Sequence, residues 1–162
     1  MILYIKHIPI EGPDTLGEYF SSRGFRPQEV DLSRGDRLPK NFDGIEAVVC
    51  LGGPMNVYEE DKYPFLKHED MFQVPAQGEL LAASAGCPHQ AFRVGTNAYG
   101  LQFHIEITDT TIENWIKEYW QVDDARSVLR GKEMLDRPQE LKRRFDQQAK
   151  IIYNNFLNIM TR

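Results

Sequence analysis

Gln102-Phe103-His104-Ile105-Glu106 sets an imidazole and a carboxylate two residues apart. On an extended strand, residues at that spacing share a face. The carboxylate can then hold the imidazole in one tautomer and stabilise its charged form, as a base and its orienting partner require. Gln102 falls on the same face; Phe103, Ile105 and Ile107 fall on the other and are assigned to the core. The pattern is short, and a His–Glu pair on a half-exposed strand without a catalytic role satisfies it equally. Gly52-Gly53-Pro54, directly after an apolar run, is a second constellation. Two glycines let the backbone approach a ligand closely, and their N–H groups can donate to a developing oxyanion. A tight strand-to-helix turn is the plain alternative. The two cysteines, Cys50 and Cys87, lack metal-ligand spacing, and Pro88 after Cys87 has no N–H to give.

These groups need a scaffold. Ile2 to Ile8 and Ile45 to Leu51 read as buried strands, and Gln28 to Leu32 as another. Asp14 or Thr15 can cap a helix running to about Ser22, which Gly24 ends. Apolar strands alternating with a helix predict a parallel sheet covered on both faces. Tyr58 to about Glu69 predicts a helix that Pro64 keeps irregular. Glu79 to Ala85, Gln90 to Val94 and Tyr99 to Ile107 predict an antiparallel meander, because their connections are too short for parallel crossovers. Thr108-Asp109-Thr110 predicts the cap of a helix with Ile112, Trp115, Ile116 and Tyr119 on one stripe. A last helix is predicted from about Pro138 to Met160, with Leu141, Phe145, Ala149, Ile152, Phe156 and Ile159 at helical spacing. A parallel sheet needs a further strand returning beside the third, and Val74-Pro75-Ala76-Gln77-Gly78 offers only a turn.

Composition narrows the function classes. The 162 residues suit one domain, and 41% hydrophobic with 27% charged residues is ordinary globular usage. A net charge of −5 argues against a nucleic-acid binder. Lys142-Arg143-Arg144 reads as a solvated helix face. No apolar run reaches membrane-span length. Met1-Ile2-Leu3-Tyr4-Ile5 reads as a first strand and not a signal peptide, and two thiols suit the reduced cytoplasm.

Together the motifs resemble a known family. Val49-Cys50-Leu51-Gly52-Gly53-Pro54-Met55-Asn56-Val57-Tyr58-Glu59 is similar to the oxyanion-strand loop of class I glutamine amidotransferases. Tyr99-Gly100-Leu101-Gln102-Phe103-His104-Ile105-Glu106 resembles the family's catalytic His/Glu strand, and Gln90 to Gly95 the strand before it. His7-Ile8-Pro9-Ile10-Glu11-Gly12-Pro13 and Tyr63-Pro64-Phe65-Leu66 resemble the stand-alone, GMP-synthase-like members that are not fused to a synthetase. The resemblance covers nearly all of the chain, with a hole in the middle.

The resemblance implies a three-layer α/β/α flavodoxin-like sheet with an antiparallel extension, as one domain over 1–162. It implies glutamine hydrolysis through a cysteine thioester, with ammonia passed to an acceptor synthetase. His104 is then the general base and later acid, Glu106 orients it, Gly52 and Gly53 line the oxyanion side, and Gln102 and Tyr58 lie near substrate. The family's nucleophile sits on an elbow like G-x-C-x-G-x-Q, and no such element stands between Gly53 and His104. Cys50-Leu51-Gly52 imitates its C-x-G. Val48 and Pro54, however, occupy the positions of the first glycine and the glutamine, so Cys50 reads as a packed core residue. The fold is therefore expected to be truncated near His68 to Met71, and the chain as written to be inactive. A non-catalytic scaffold paralogue and a γ-glutamyl hydrolase or peptidase remain as alternatives. Neither metal nor organic cofactor is implied, and a homodimer is compatible with the family.

Overall fold

The computed structural model describes residues 1–53, 74–85, 87–118 and 125–161. The expected helix from Tyr58 and the expected junction at His68 to Met71 lie outside the described residues. The chain divides into two compact units, one of Met1–Gly53 with Ile105–Arg162, the other of Pro54–His104.

In the first unit, β1 (Ile2–Lys6) pairs in parallel with β2 (Pro27–Asp31) and with β3 (Ala47–Cys50), in the order β2-β1-β3. Ile2 and Tyr4 point to one face of β1, Leu3 and Ile5 to the other. All four are 9% exposed or less, so the central strand is covered on both faces, as its unbroken apolar run predicts. Leu3, Ile5 and Val30 form one cluster, with Leu32 and Ile45 packed against it. A second cluster of Ile107, Ile112 and Trp115 gathers Ile10, Ile116, Met134, Leu135 and Phe145. It binds together α2 (Asp109–Glu118), α3 (Ala125–Leu135) and α4 (Gln139–Met160).

Local rules explain the helix starts unevenly. At α2, the Thr111 N–H donates to Thr108 Oγ1 and the Thr108 N–H donates to Thr111 Oγ1, each at 3.1 Å. This is a reciprocal cap in which threonine takes the place usually held by glutamate, and it bears out the cap expected at Thr108. Helix α1 (Asp14–Ser21) departs from expectation, because Pro13 occupies its cap position and no side chain caps it. Asp14 sits at φ 35°, outside ordinary helical geometry, and its carboxylate instead accepts a hydrogen bond from the Thr111 hydroxyl. Gly24, at φ 88°, ends the α1 turn where the sequence predicts. Helix α3 was not expected: Leu129 on it is 60% exposed, and Gly131 interrupts its pattern. On α4 the apolar stripe holds at Phe145, Ala149, Ile152, Phe156 and Ile159, but Leu141 is exposed.

The second unit contains an antiparallel sheet, β4 (Gly78–Ser84), β5 (Cys87–Val94) and β6 (Ala98–Leu101), in that order. The meander expected from the short connections is what forms. Its entry is the turn read at Val74 to Gly78, closed by the Gly78 N–H to the Pro75 carbonyl at 2.6 Å.

Candidate active site

The carboxyl ends of parallel strands are where open α/β sheets hold ligands. Gly52 and Gly53 follow the carboxyl end of β3, and both are exposed. Leu51, the residue before them, is fixed from two sides. Its N–H donates to the Ile5 carbonyl at 2.9 Å, continuing the ladder with β1. Its carbonyl lies 2.7 Å from Nδ1 of His7, a residue only 8% exposed. A carbonyl oxygen only accepts, so His7 carries its proton on Nδ1 and donates. The loop thus springs from an anchored residue, and His7 is a site neighbour whose role the sequence did not disclose.

Cys50 corrects an expectation. It lies on β3 opposite Ile5 in the parallel register, but its side chain is exposed and not packed in the core. Strand β3 is at the edge of the sheet formed by the described residues, and its alternate residues Val48 and Cys50 face outward. The strand's apolar composition is that of a covered strand, and half of it lacks that cover.

His104 and Glu106 require a second correction. Strand β6 ends at Leu101, and none of residues 102–106 belongs to a strand. The Gln102 N–H still donates to the Gln90 carbonyl at 2.9 Å, one step past the ladder. The period-two alternation survives in burial even so. Gln102 and His104 are exposed, Ile105 and Ile107 are buried, and Phe103 and Glu106 are half-buried. The boundary between the two units falls between His104 and Ile105. Tyr58 lies outside the described residues.

Around Glu106 the first unit is dense in polar contacts. The Ile105 N–H donates to Glu106 Oε2 at 2.9 Å, curling the carboxylate onto its own backbone. The Glu106 carbonyl accepts from the Thr15 N–H at 3.1 Å and from the Thr15 hydroxyl at 2.8 Å. The Tyr153 hydroxyl donates to the Ile105 carbonyl at 2.9 Å and lies 2.9 Å from Thr15 Oγ1. Burial raises the Asp14 carboxyl above the ordinary aspartate range; Thr111 opposes the shift, Glu106 and Glu18 add to it, and Lys6 opposes it. Burial likewise pushes the Tyr153 phenol up to about 12, with Thr15 acting against it and Glu106, Asp14 and Asp146 for it. Thr15 and Tyr153 were missed as site residues. Tyr153 adjoins the expected stripe residue Ile152, and only the three-dimensional contact reveals its hydroxyl's use. Among the described residues, no group of three or more His, Cys, Asp or Glu could hold a metal ion.

No family model matches the chain. The glutamine amidotransferase-like protein YfeJ of Salmonella typhimurium (strain LT2) is 39% identical to it over 54 residues, which are 33% of this chain and 23% of that protein. The match therefore spans less than a quarter of the relative's length. A glutamine amidotransferase from Thermotoga maritima superposes with a TM-score of 0.69 at 21% identity, covering 99% of this chain and 95% of the other. A glutamine amido transferase from Methylobacillus flagellatus superposes with a TM-score of 0.77 at 14% identity, covering 98% and 94%. The chain has the fold of the glutamine amidotransferases, and a third of it shares sequence with a glutamine amidotransferase-like protein.

Proposed function

We propose that this chain is a class I glutamine amidotransferase-type domain that retains the base and oxyanion elements but not the nucleophile. In this reading, His104 is the general base and then acid, Glu106 orients it, and Gly52 and Gly53 donate to the oxyanion. Gln102 and Tyr58 lie near glutamine. An active relative would attack the γ-carboxamide carbon with a thiolate, expel ammonia toward an acceptor synthetase, and hydrolyse the thioester with water. The observation that carries the proposal is the placing of Cys50. It sits inside a parallel ladder opposite Ile5, whereas an elbow nucleophile needs a strained strand-to-helix turn. Cys87 begins an antiparallel strand and precedes Pro88. We place the lost elbow at a junction near residues 68–71, where several dozen residues of the family pattern are missing. No helix of the described residues is long and apolar enough to cross a membrane, and the reading assigns the chain to the cytoplasm.

The test is ammonia and glutamate release from glutamine by protein whose intact mass matches this sequence. Loss of a nucleophile costs on the order of 10⁴-fold or more in rate, so no release is expected. Robust release abolished by Cys50→Ala would make Cys50 the nucleophile and overturn the proposal. Release that survives Cys50→Ala but not His104→Ala would show a hydrolase working by another route.

A further inference from the structure

Among the described residues, no strand pairing holds the segment that carries Glu106, because β6 ends at Leu101. Its fixation comes from two helices distant in sequence. Thr15, in the first turn of α1, spends both its N–H and its hydroxyl on the Glu106 carbonyl. Tyr153, on α4 and 2% exposed, reaches the neighbouring Ile105 carbonyl. The two hydroxyls also touch each other at 2.9 Å, closing a ring that runs through α1, α4 and the two peptide units. Ile105 and Ile107, both buried, peg the segment from the apolar side. With the backbone held this way, the bond from the Ile105 N–H to Oε2 leaves the Glu106 carboxylate little freedom.

We infer that Thr15 and Tyr153 are positioning residues that set the Glu106 carboxylate by clamping the carbonyls of residues 105 and 106. The inference rests on the proposed pairing of Glu106 with His104. A group that orients an imidazole must be held to about half an ångström, and sites are held that well only when supporting residues are themselves locked. Thr15 and Tyr153 supply that support without touching substrate. Asp14, Glu18, Lys6 and Asp146 are other charged groups at this corner, and none of the variants below alters them.

The experiment follows the titration of the His104 imidazole by nitrogen-detected NMR, assigned by its loss in His104→Gln. Glu106→Gln should lower the His104 pKa by on the order of one unit, the size expected when an opposite charge beside an imidazole is removed. Tyr153→Phe and Thr15→Val should each reproduce about half of that fall, because a loosened carboxylate stabilises the imidazolium less. Thr15→Ser, which keeps the hydroxyl, should restore the wild-type value. Phe20→Leu, a core change on α1 that spares the clamp, should leave it unmoved. A shift in Glu106→Gln with none in Tyr153→Phe or Thr15→Val would overturn the positioning role and leave the pairing standing. An equal shift in Phe20→Leu would overturn it too, as a mere effect of lowered stability. No shift in Glu106→Gln would remove the His104–Glu106 pairing itself, and the inference with it.

Discussion

Replacing Tyr153 by phenylalanine removes one oxygen from a side chain that is 2% exposed and keeps the ring that packs 5.2 Å from Tyr19. That oxygen is the donor to the Ile105 carbonyl, which lies in the interior and loses its hydroxyl partner. A buried acceptor left without its donor costs about 1–3 kcal/mol. Thr15→Val removes a hydroxyl of similar surroundings, yet the outcome should be milder. The Glu106 carbonyl that loses Oγ1 still accepts the N–H of residue 15 at 3.1 Å, so it is not orphaned. A net cost of about 0.5–1.5 kcal/mol follows. Proton supply also constrains the pair. Two hydroxyl hydrogens serve three oxygen–oxygen contacts, and when both go to carbonyls none remains for the contact between the hydroxyls. Removing either residue leaves the other's carbonyl bond intact. The double variant should therefore cost the sum of the singles to within about 0.5 kcal/mol, although touching residues commonly couple more strongly. Urea unfolding at pH 7, with midpoints compared at unchanged m-value, measures all three costs. A Thr15→Val cost equal to or above that of Tyr153→Phe, or a coupling well above about 1 kcal/mol, would refute this account of the proton supply.

Tyr4 and Tyr153 should resist alkaline titration, since burial pushes both phenols up to about 12, helped at Tyr4 by Glu29. Both folded values lie above the unfolded one of about 10, so the stability they lend is whole below about pH 10 and is lost as pH rises toward about 12. Phenolate absorbance tracked beside circular dichroism checks that the two ionise only as the fold opens; ionisation at pH 10 in folded protein would contradict it. Ile112→Ala should cost about 2–5 kcal/mol, because Ile112 is 0% exposed at the centre of the cluster that joins α2 to α3 and α4. Chemical unfolding would show it, and a cost near that of a surface change would mean the cluster collapses around the gap.

Much of the scaffold was legible because its signals are local. The unbroken apolar run at Ile2 to Ile5 demanded a strand covered on both faces, and Thr108 announced α2 through short-range hydrogen bonds. Where the fold is decided by distant contacts, the local reading failed. The start of α1 reads as an ordinary Asp or Thr cap, but both side chains are drawn off to residues more than ninety positions away. Extended character from Tyr99 to Ile107 predicts one strand; the alternating burial is real, but among the described residues strand pairing goes no further than the bond from the Gln102 N–H to the Gln90 carbonyl. Exposure of Cys50 could not be read either, since its apolar strand resembles a central one and stands at an edge among the described residues. As for the candidate site, His104, Glu106, Gly52 and Gly53 are proposed from residue type and spacing. The supporting roles of His7, Thr15 and Tyr153 exist only as distances.

The bond from the Thr15 N–H to the Glu106 carbonyl also bears on how the protein is made. Helix α1 has eight residues, too few to persist alone in water, and the carbonyl that satisfies its first turn belongs to a residue 91 positions later. A ribosome adding roughly 5–20 residues per second reaches that residue about 5–20 s after Thr15, and Tyr153 emerges later still. During this interval Thr15 and Tyr19 of α1 lack Glu106 and Tyr153, which finally contact them. The chain therefore cannot finish its first helix by folding in order of synthesis. Its first helix must wait for residues of the carboxyl-terminal half before these bonds can form.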